Sequence, residues 1–333
     1  MQAEGMTVRT PRAKRLRRNL KARPMLDIIL SIAPIFILIA LGQALWRGGI
    51  PSVAFWNMND KLVYWVLFPA LLFAKTSTIP LSGALMADYA LLIYGGFAAA
   101  FLFALIAARL CRFAPPLATS LLQGAARHNT FIAIAVAERL FGTEGLALAA
   151  LITALLIPVT NVSVVAAMVA LLRGRGGPNV VAAIAGDLLR NPLLIAVALG
   201  LSLNVADVGR LPVLHEIADI LGSAALPIVL LCIGANIRIN EMAAAALPVV
   251  LSVMGKMLVF PAAVLALAQL RDLPETALMI ALLFGAVPTA ASGYSLARQM
   301  GGDAPAMATI ITLQTALAFL TLPLTLVVVR QIL

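Results

Sequence analysis

Apolar runs of about twenty residues recur along this chain from Met25 to Leu333, and few charges interrupt them. A helix of about 20 apolar residues is long enough to cross the hydrocarbon core of a membrane. Hydrophobic residues make up 62% of the sequence and charged residues 11%, against roughly 45–50% and about 25% in an ordinary soluble domain. The sequence therefore predicts an all-α polytopic protein of the lipid bilayer and excludes a soluble globular domain.

The runs predict ten transmembrane helices in two halves of five. The first half takes residues 25–172 and the second takes residues 190–333, joined by a cytoplasmic linker, 173–189, that is rich in Gly and Arg and ends in an amphipathic stretch. The ten predicted helices lie at 27–46, 58–76, 88–110, 117–140, 145–172, 190–206, 213–235, 244–270, 275–298 and 304–330.

Proline positions indicate that the second half repeats the first. Pro34 and Pro192 are 158 residues apart, and so are Pro69 and Pro227, each pair within similar apolar words. Because five is an odd number, the second half must enter the bilayer from the opposite side. This arrangement is the inverted repeat that is typical of secondary transporters.

The net charge of +10 comes mostly from a basic tail, residues 1–24, which holds eight of the 24 Lys and Arg residues. Without the tail, 16 basic and 13 acidic residues leave +3, so the charge does not indicate a nucleic-acid partner. Short-loop Lys and Arg residues favour an external start of the first helix, whereas the tail favours the reverse. We interpret the tail as disordered, or as an extension ahead of a true start at Met25.

Polar residues inside helices 4 and 9 mark a candidate substrate site. Helix 4 carries Arg127, His128, Asn129 and Thr130 between apolar segments, and such groups need a protein interior or a watery cavity. Two readings stay open for them: a substrate site, or a helix end with side chains that bond to neighbouring helices.

Helix 9 carries Pro288, Thr289 and Ser292, and the proline is expected to break the helix there. The alternative is a simple kink with small residues for packing.

Lys256 lies near the centre of predicted helix 8. It either pairs structurally, with Glu138 or with a helix C-terminus, or it offsets the negative charge of a substrate. Cys111 and Cys232 show no disulfide or metal-ligand spacing. No cofactor and no metal site are predicted.

Five segments together resemble the auxin efflux carrier family, which includes plant auxin exporters and bacterial malonate or malate carriers. The resemblance implies two inverted five-helix repeats with broken, crossing helices 4 and 9. It also implies a scaffold of helices 1, 2, 6 and 7 and a moving transport domain of the other six. The segments that carry it are Pro34–Gly42, Phe68–Phe73, Arg190–Leu194, Ala225–Ala235 and Ala286–Ala291.

The chain departs from that family at helix 4. Asn129 and Phe131 fit the pattern, but Ala133 stands near the family's glycine, and no proline occurs between Pro116 and Pro158. Whether helix 4 is broken without a proline stays open at this point.

These observations predict a secondary active or facilitative transporter of a small organic anion, a carboxylate such as malonate, that works by elevator-type alternating access. We place it in the bacterial inner membrane. The substrate contacts are His128, Asn129, Thr130, Pro288, Thr289, Ser292 and Lys256.

Several alternatives stay open. The sequence lacks a GxxxxGK[ST] phosphate loop, so gradients rather than ATP are expected to drive transport, with sodium or proton coupling unresolved. The oligomeric state stays open, with a homodimer as one alternative. An exporter of amino acids or other weak acids is the nearest alternative function. An enzyme is not expected; the remote alternative is an intramembrane serine protease with Ser292 as nucleophile and His128 or His215 as base.

Overall fold

A computed structural model describes residues 25–79, 83–172, 186, 189–242, 246–271 and 273–332. The basic tail and nearly all of the predicted linker lie outside the described residues. Over the described part of the chain the secondary structure is helical, with no strand.

In the part of the first half that the structure describes there are six helices. A π-helical turn, Val63–Leu67, joins α2 to α3 without a break. The helices are α1 (Met25–Arg47), α2 (Val53–Leu62), α3 (Phe68–Thr76), α4 (Gly83–Leu110), α5 (Pro115–Ala126) and α6 (Thr130–Leu171).

Seven helices lie among the described residues of the second half. A 3-10 turn, Ile239–Glu241, follows α8, and a second π-helical turn, Gly255–Val259, joins α9 to α10. The helices are α7 (Pro192–Val205), α8 (Pro212–Ala235), α9 (Ala246–Met254), α10 (Phe260–Ala268), α11 (Glu275–Ala286), α12 (Ser292–Met300) and α13 (Ala304–Ile332).

Six helical segments among the described residues are long and apolar enough to cross a membrane, which confirms a multi-pass membrane protein. Two further helices, Pro192–Val205 and Glu275–Ala286, are apolar but shorter. The six segments are Met25–Arg47, Leu85–Leu110, Pro115–Leu171, Pro212–Glu241, Ala246–Ala268 and Ala304–Val329.

The segment Pro115–Leu171 is too long for a single crossing. Its last helix, α6, alone has 42 residues, or roughly 60 Å at about 1.5 Å per residue, which is twice the hydrocarbon thickness of about 30 Å. Gly142 turns the chain inside α6 with φ 65° and ψ −151°, a conformation that essentially requires glycine. The segment therefore folds back on itself there.

Close backbone contact holds α1 against α8. A Cβ atom at Gly234 would collide with the carbonyl oxygen of Ile39, and one at Gly42 would collide with that of Leu231. On the adjacent side, α3 packs against α7 and α8. These helices form one packed body, which we call the α1–α8 body (α1, α2, α3, α7 and α8).

The remaining helices pack mainly on one another. α10 lies against α4, α11 against α6 and α13, and α5 against α9 and α13. We call this group the α5–α11 body (α4–α6 and α9–α13).

Candidate functional site

The helix that the sequence predicted over 117–140 is interrupted at residues 127–129. Arg127 ends α5 with ψ 154°, and Asn129 precedes α6 with extended backbone angles. The Asn129 side chain accepts a hydrogen bond from the backbone N–H of Ile132 at 3.1 Å, so it caps the start of α6. The interruption is therefore present although this helix has no proline, and Asn129 caps the helix that follows it.

A second interruption separates α11 from α12. Val287 leaves the helix with ψ 152°, and the chain stays non-helical through Pro288 until α12 begins at Ser292. The two interruptions meet directly, because the backbone N–H of Asn129 donates to the carbonyl oxygen of Pro288 at 2.8 Å.

Side chains cap the C-terminal end of α5 from across this junction. The Thr289 hydroxyl donates to the carbonyl oxygen of Gln123 at 3.2 Å, and the Gln314 amide donates to that of Gly124 at 3.0 Å. Gln314 also accepts from the Thr289 backbone N–H at 2.8 Å and donates to the Ser252 hydroxyl at 2.9 Å. The Gly124 carbonyl, which would otherwise lack a helical partner, is thus satisfied, and the Gln123 carbonyl gains a second donor beside the Arg127 backbone N–H.

Lys256 caps the C-terminal end of α11 in a similar way. Its ammonium group is completely buried and donates to the carbonyl oxygen of Phe284 at 2.9 Å, with the Phe260 ring centroid 4.6 Å away. A cation at a helix C-terminus is favourable for the helix dipole. Of the two roles that the sequence allows for Lys256, this geometry supports pairing with a helix C-terminus.

A cavity of about 680 Å³ opens at the junction. Four of the predicted site residues line it, namely His128, Asn129, Thr130 and Ser292. The other three, Lys256, Pro288 and Thr289, lie behind its wall.

The facing wall of the cavity belongs to the α1–α8 body and is rich in amides and charges. Asn57, Asp60 and Lys61 come from α2, and Asn236 and Arg238 follow α8. Asn236 donates to the Asp60 carboxylate at 2.7 Å. The cavity thus lies between the two bodies.

Arg127 is a cavity residue that the sequence analysis did not include among the substrate contacts. Its guanidinium donates to the Ser292 hydroxyl at 3.1 Å and so connects the two interruptions. Its buried Nε–H has no partner in the described part of the chain, and no carboxylate there forms an ion pair with it. The sequence did contain a signal for this position, because an arginine within an apolar helix is costly unless it faces a cavity.

His128 is 5% exposed and lines the same cavity. Neither ring nitrogen has a hydrogen-bond partner among the described residues, and its ring lies 5.6 Å from that of Phe284. A buried histidine without partners is unusual enough to require an explanation.

The structure does not bring Ser292 and a histidine together as a nucleophile–base pair. The side-chain partner of Ser292 over the described ranges is Arg127, and the His215 ring instead bonds to the Ser77 hydroxyl at 2.7 Å.

A second cavity, of about 710 Å³, lies toward the other end of the same helices. Lys75, Glu138, Arg139 and Asp219 line it, whereas residues 127–131 and 287–292 do not. Between the two cavities the Phe68 and Phe131 rings pack edge to face, with their centroids 4.6 Å apart.

The model of a protein family described as membrane transport protein matches residues 179–326. The match includes α7 to α12 and most of α13, and therefore the interruption at Pro288, but it leaves out residues 127–130. A comparison with curated proteins found no match.

Proposed function

We propose that this chain, whose residues 179–326 match the model of the membrane transport protein family and which resembles the auxin efflux carriers, is a secondary active or facilitative carrier of a small organic anion. Its transport site is the cavity at the two helix interruptions. His128, Asn129, Thr130 and Ser292 face the substrate, and Pro288, Thr289 and Lys256 hold the two interruptions from behind.

The observation that carries this proposal is the charge around the cavity. Among the described residues, its lining includes the basic residues Lys61, Arg127 and Arg238 and one acidic residue, Asp60, whose carboxylate already accepts from Asn236. A low-dielectric cavity with an excess of one charge sign concentrates ligands of the opposite sign. An amino acid, as in the alternative exporter function, would need a free carboxylate for its ammonium group, and the charge balance therefore favours a plain carboxylate.

The packing supports alternating access of the elevator type. α1 packs on α8 and α3 packs on α7, two pairs that an inverted repeat relating 25–172 to 190–333 would exchange. The cavities lie at opposite ends of the seam between the two bodies, with Phe68 and Phe131 between them. A sliding movement of the α5–α11 body along this seam would transfer the junction from one cavity to the other.

In the structure the cavity at the junction opens toward the end of the helices that bears Lys61 and Arg238. The Lys and Arg residues of the short loops predict that this end is cytoplasmic. The protein is then an inward-facing carrier of the bacterial inner membrane. Gradients of the substrate, sodium or protons would drive it.

Uptake into proteoliposomes tests the proposal. The panel contains malonate, malate, lactate, glutamate and leucine, each measured with and without imposed sodium and pH gradients. We expect uptake of at least one carboxylate without an amino group, above that of protein-free vesicles. Transport of amino acids alone would favour the alternative exporter, and uptake of no panel member would contradict the proposal.

A further inference from the structure

We propose that Arg127 is the charge anchor of the transport site and that, with Ser292 and His128, it binds the carboxylate of the substrate. This inference rests on the proposed function and names the residues that distinguish an anion from a neutral analogue. Arg127 lies outside the stretch that matches the family model, so the assignment depends on the geometry of this chain.

The guanidinium of Arg127 lacks the anion that its position requires. It donates to the neutral Ser292 hydroxyl, and its buried Nε–H is free of any partner among the described residues. Removing a cation from water is expensive unless an opposite charge replaces the lost hydration. Arginine offers five N–H donors in a planar fork that fits a carboxylate through two parallel hydrogen bonds. A bound carboxylate would supply the missing charge and accept from the guanidinium where Arg127 lines the cavity.

The helix ends at the junction indicate where that carboxylate lies. Three of the four ends have side-chain partners: Thr289 and Gln314 at the end of α5, Lys256 at the end of α11, and Asn129 at the start of α6. The start of α12 has no side-chain cap. It faces the cavity through Ser292, beside Arg127. A helix N-terminus carries a partial positive charge and attracts anions.

His128 provides an independent indication of a ligand at this place. His128 is only 5% exposed and lines the cavity. Neither of its ring nitrogens has a partner in the described part of the chain. A neutral imidazole presents one donor and one acceptor. Both nitrogens lie beneath the cavity surface, so the ring must turn toward the cavity before its donor can reach the second carboxylate oxygen.

The test compares binding of a carboxylate with binding of its amide to purified, detergent-solubilised protein. The two candidate pairs are malonate with malonamide and lactate with lactamide. The pair used is the one whose carboxylate is taken up faster in the proteoliposome panel. Arg127→Gln should weaken carboxylate binding by about 10- to 100-fold, the effect of losing charge-assisted hydrogen bonds. Binding of the amide should change by less than about threefold. Arg298→Gln is the matched control, since Arg298 is exposed on α12 and does not line the cavity.

Arg127→Lys keeps the charge and removes the fork. It should keep the preference for carboxylate over amide with a lower affinity, and it replaces Arg127→Gln if that variant does not fold by gel filtration. Equal weakening of both ligands in Arg127→Gln, an undiminished preference in that variant, or full affinity in Arg127→Lys would overturn the inference. If the wild type transports a carboxylate and Arg127→Gln still prefers it, the inference alone fails. If the wild type transports none, the proposed function fails.

Discussion

Loading the inside of vesicles with the transported carboxylate should accelerate its uptake from outside. Arg127 and Ser292 both belong to the α5–α11 body, which we propose as the moving element. With a monocarboxylate bound, the guanidinium and the ligand cross as a neutral pair. Without it, the body must return with an unpaired cation. Exchange, in which every crossing is loaded, should therefore be faster than net uptake.

The size of the effect follows from the cost of that unpaired charge. Placing an arginine at the centre of a membrane helix costs about 2.5–3.5 kcal/mol on insertion scales, which corresponds to roughly 60- to 300-fold in rate. This is an upper bound, because Arg127 lines a cavity that admits water and keeps its hydrogen bond to Ser292. We expect uptake into preloaded vesicles to exceed uptake into empty ones by about tenfold or more.

The assay measures initial uptake of labelled substrate into proteoliposomes with the membrane potential clamped. Preloaded and empty vesicles are compared for the wild type, Arg127→Gln and Arg298→Gln. Arg127→Gln removes this unpaired cation from the empty site, so the ratio should fall toward one even if the absolute rate is low, whereas Arg298→Gln should keep the wild-type ratio. Equal uptake into the two kinds of vesicle by the wild type, or an unchanged ratio in Arg127→Gln, would refute the reasoning.

Three further predictions concern Asn129, Lys256 and the basic tail. Asn129→Ala should abolish transport while expression persists, at a stability cost of about 1 kcal/mol for the lost cap. Asn129→Ser keeps a capping oxygen, so recovery of transport in that variant would reduce Asn129 to a cap. Lys256→Gln should lower the melting temperature, since loss of a buried partner costs about 1–3 kcal/mol, and weaken carboxylate and amide alike; selective loss of the carboxylate would instead assign Lys256 to the substrate. A protein that begins at Met25 should insert and transport normally, with a reporter after Arg175 in the cytoplasm, and failed insertion would show that the tail is needed.

Long apolar runs made most helices predictable from the sequence. The predicted helix at 213–235 corresponds to α8, Pro212–Ala235, and the one at 304–330 to α13, Ala304–Ile332. Helices with polar ends were predicted less well. The second predicted helix, 58–76, begins five residues earlier in the structure, at Val53, where the Ser52 side chain caps α2.

The interruption at Pro288 could be predicted because proline removes a local hydrogen bond. The one at residues 127–129 could not be settled, because what stabilises it is the bond from Asn129 to the Pro288 carbonyl, 159 residues along the chain. The partner of Lys256, the Phe284 carbonyl, was also hidden by sequence distance. Gln314 was missed altogether, although a glutamine in the apolar run of α13 was a visible signal.

The hydrogen bonds at the junction determine which parts of the site can move independently. Asn129 to Pro288, Thr289 to Gln123, and Gln314 to both Thr289 and Gly124 join α5, α6, α11 and α13 through four buried contacts. Leaving any one of these groups unpaired would cost about 1–3 kcal/mol, so separating the half-helices during transport would add most of these penalties together. The seam with the α1–α8 body carries no such set of bonds at the junction among the described residues. Movement along that seam leaves the junction intact, and the Arg127–Ser292 pair would then present the same geometry to the substrate on either side of the membrane.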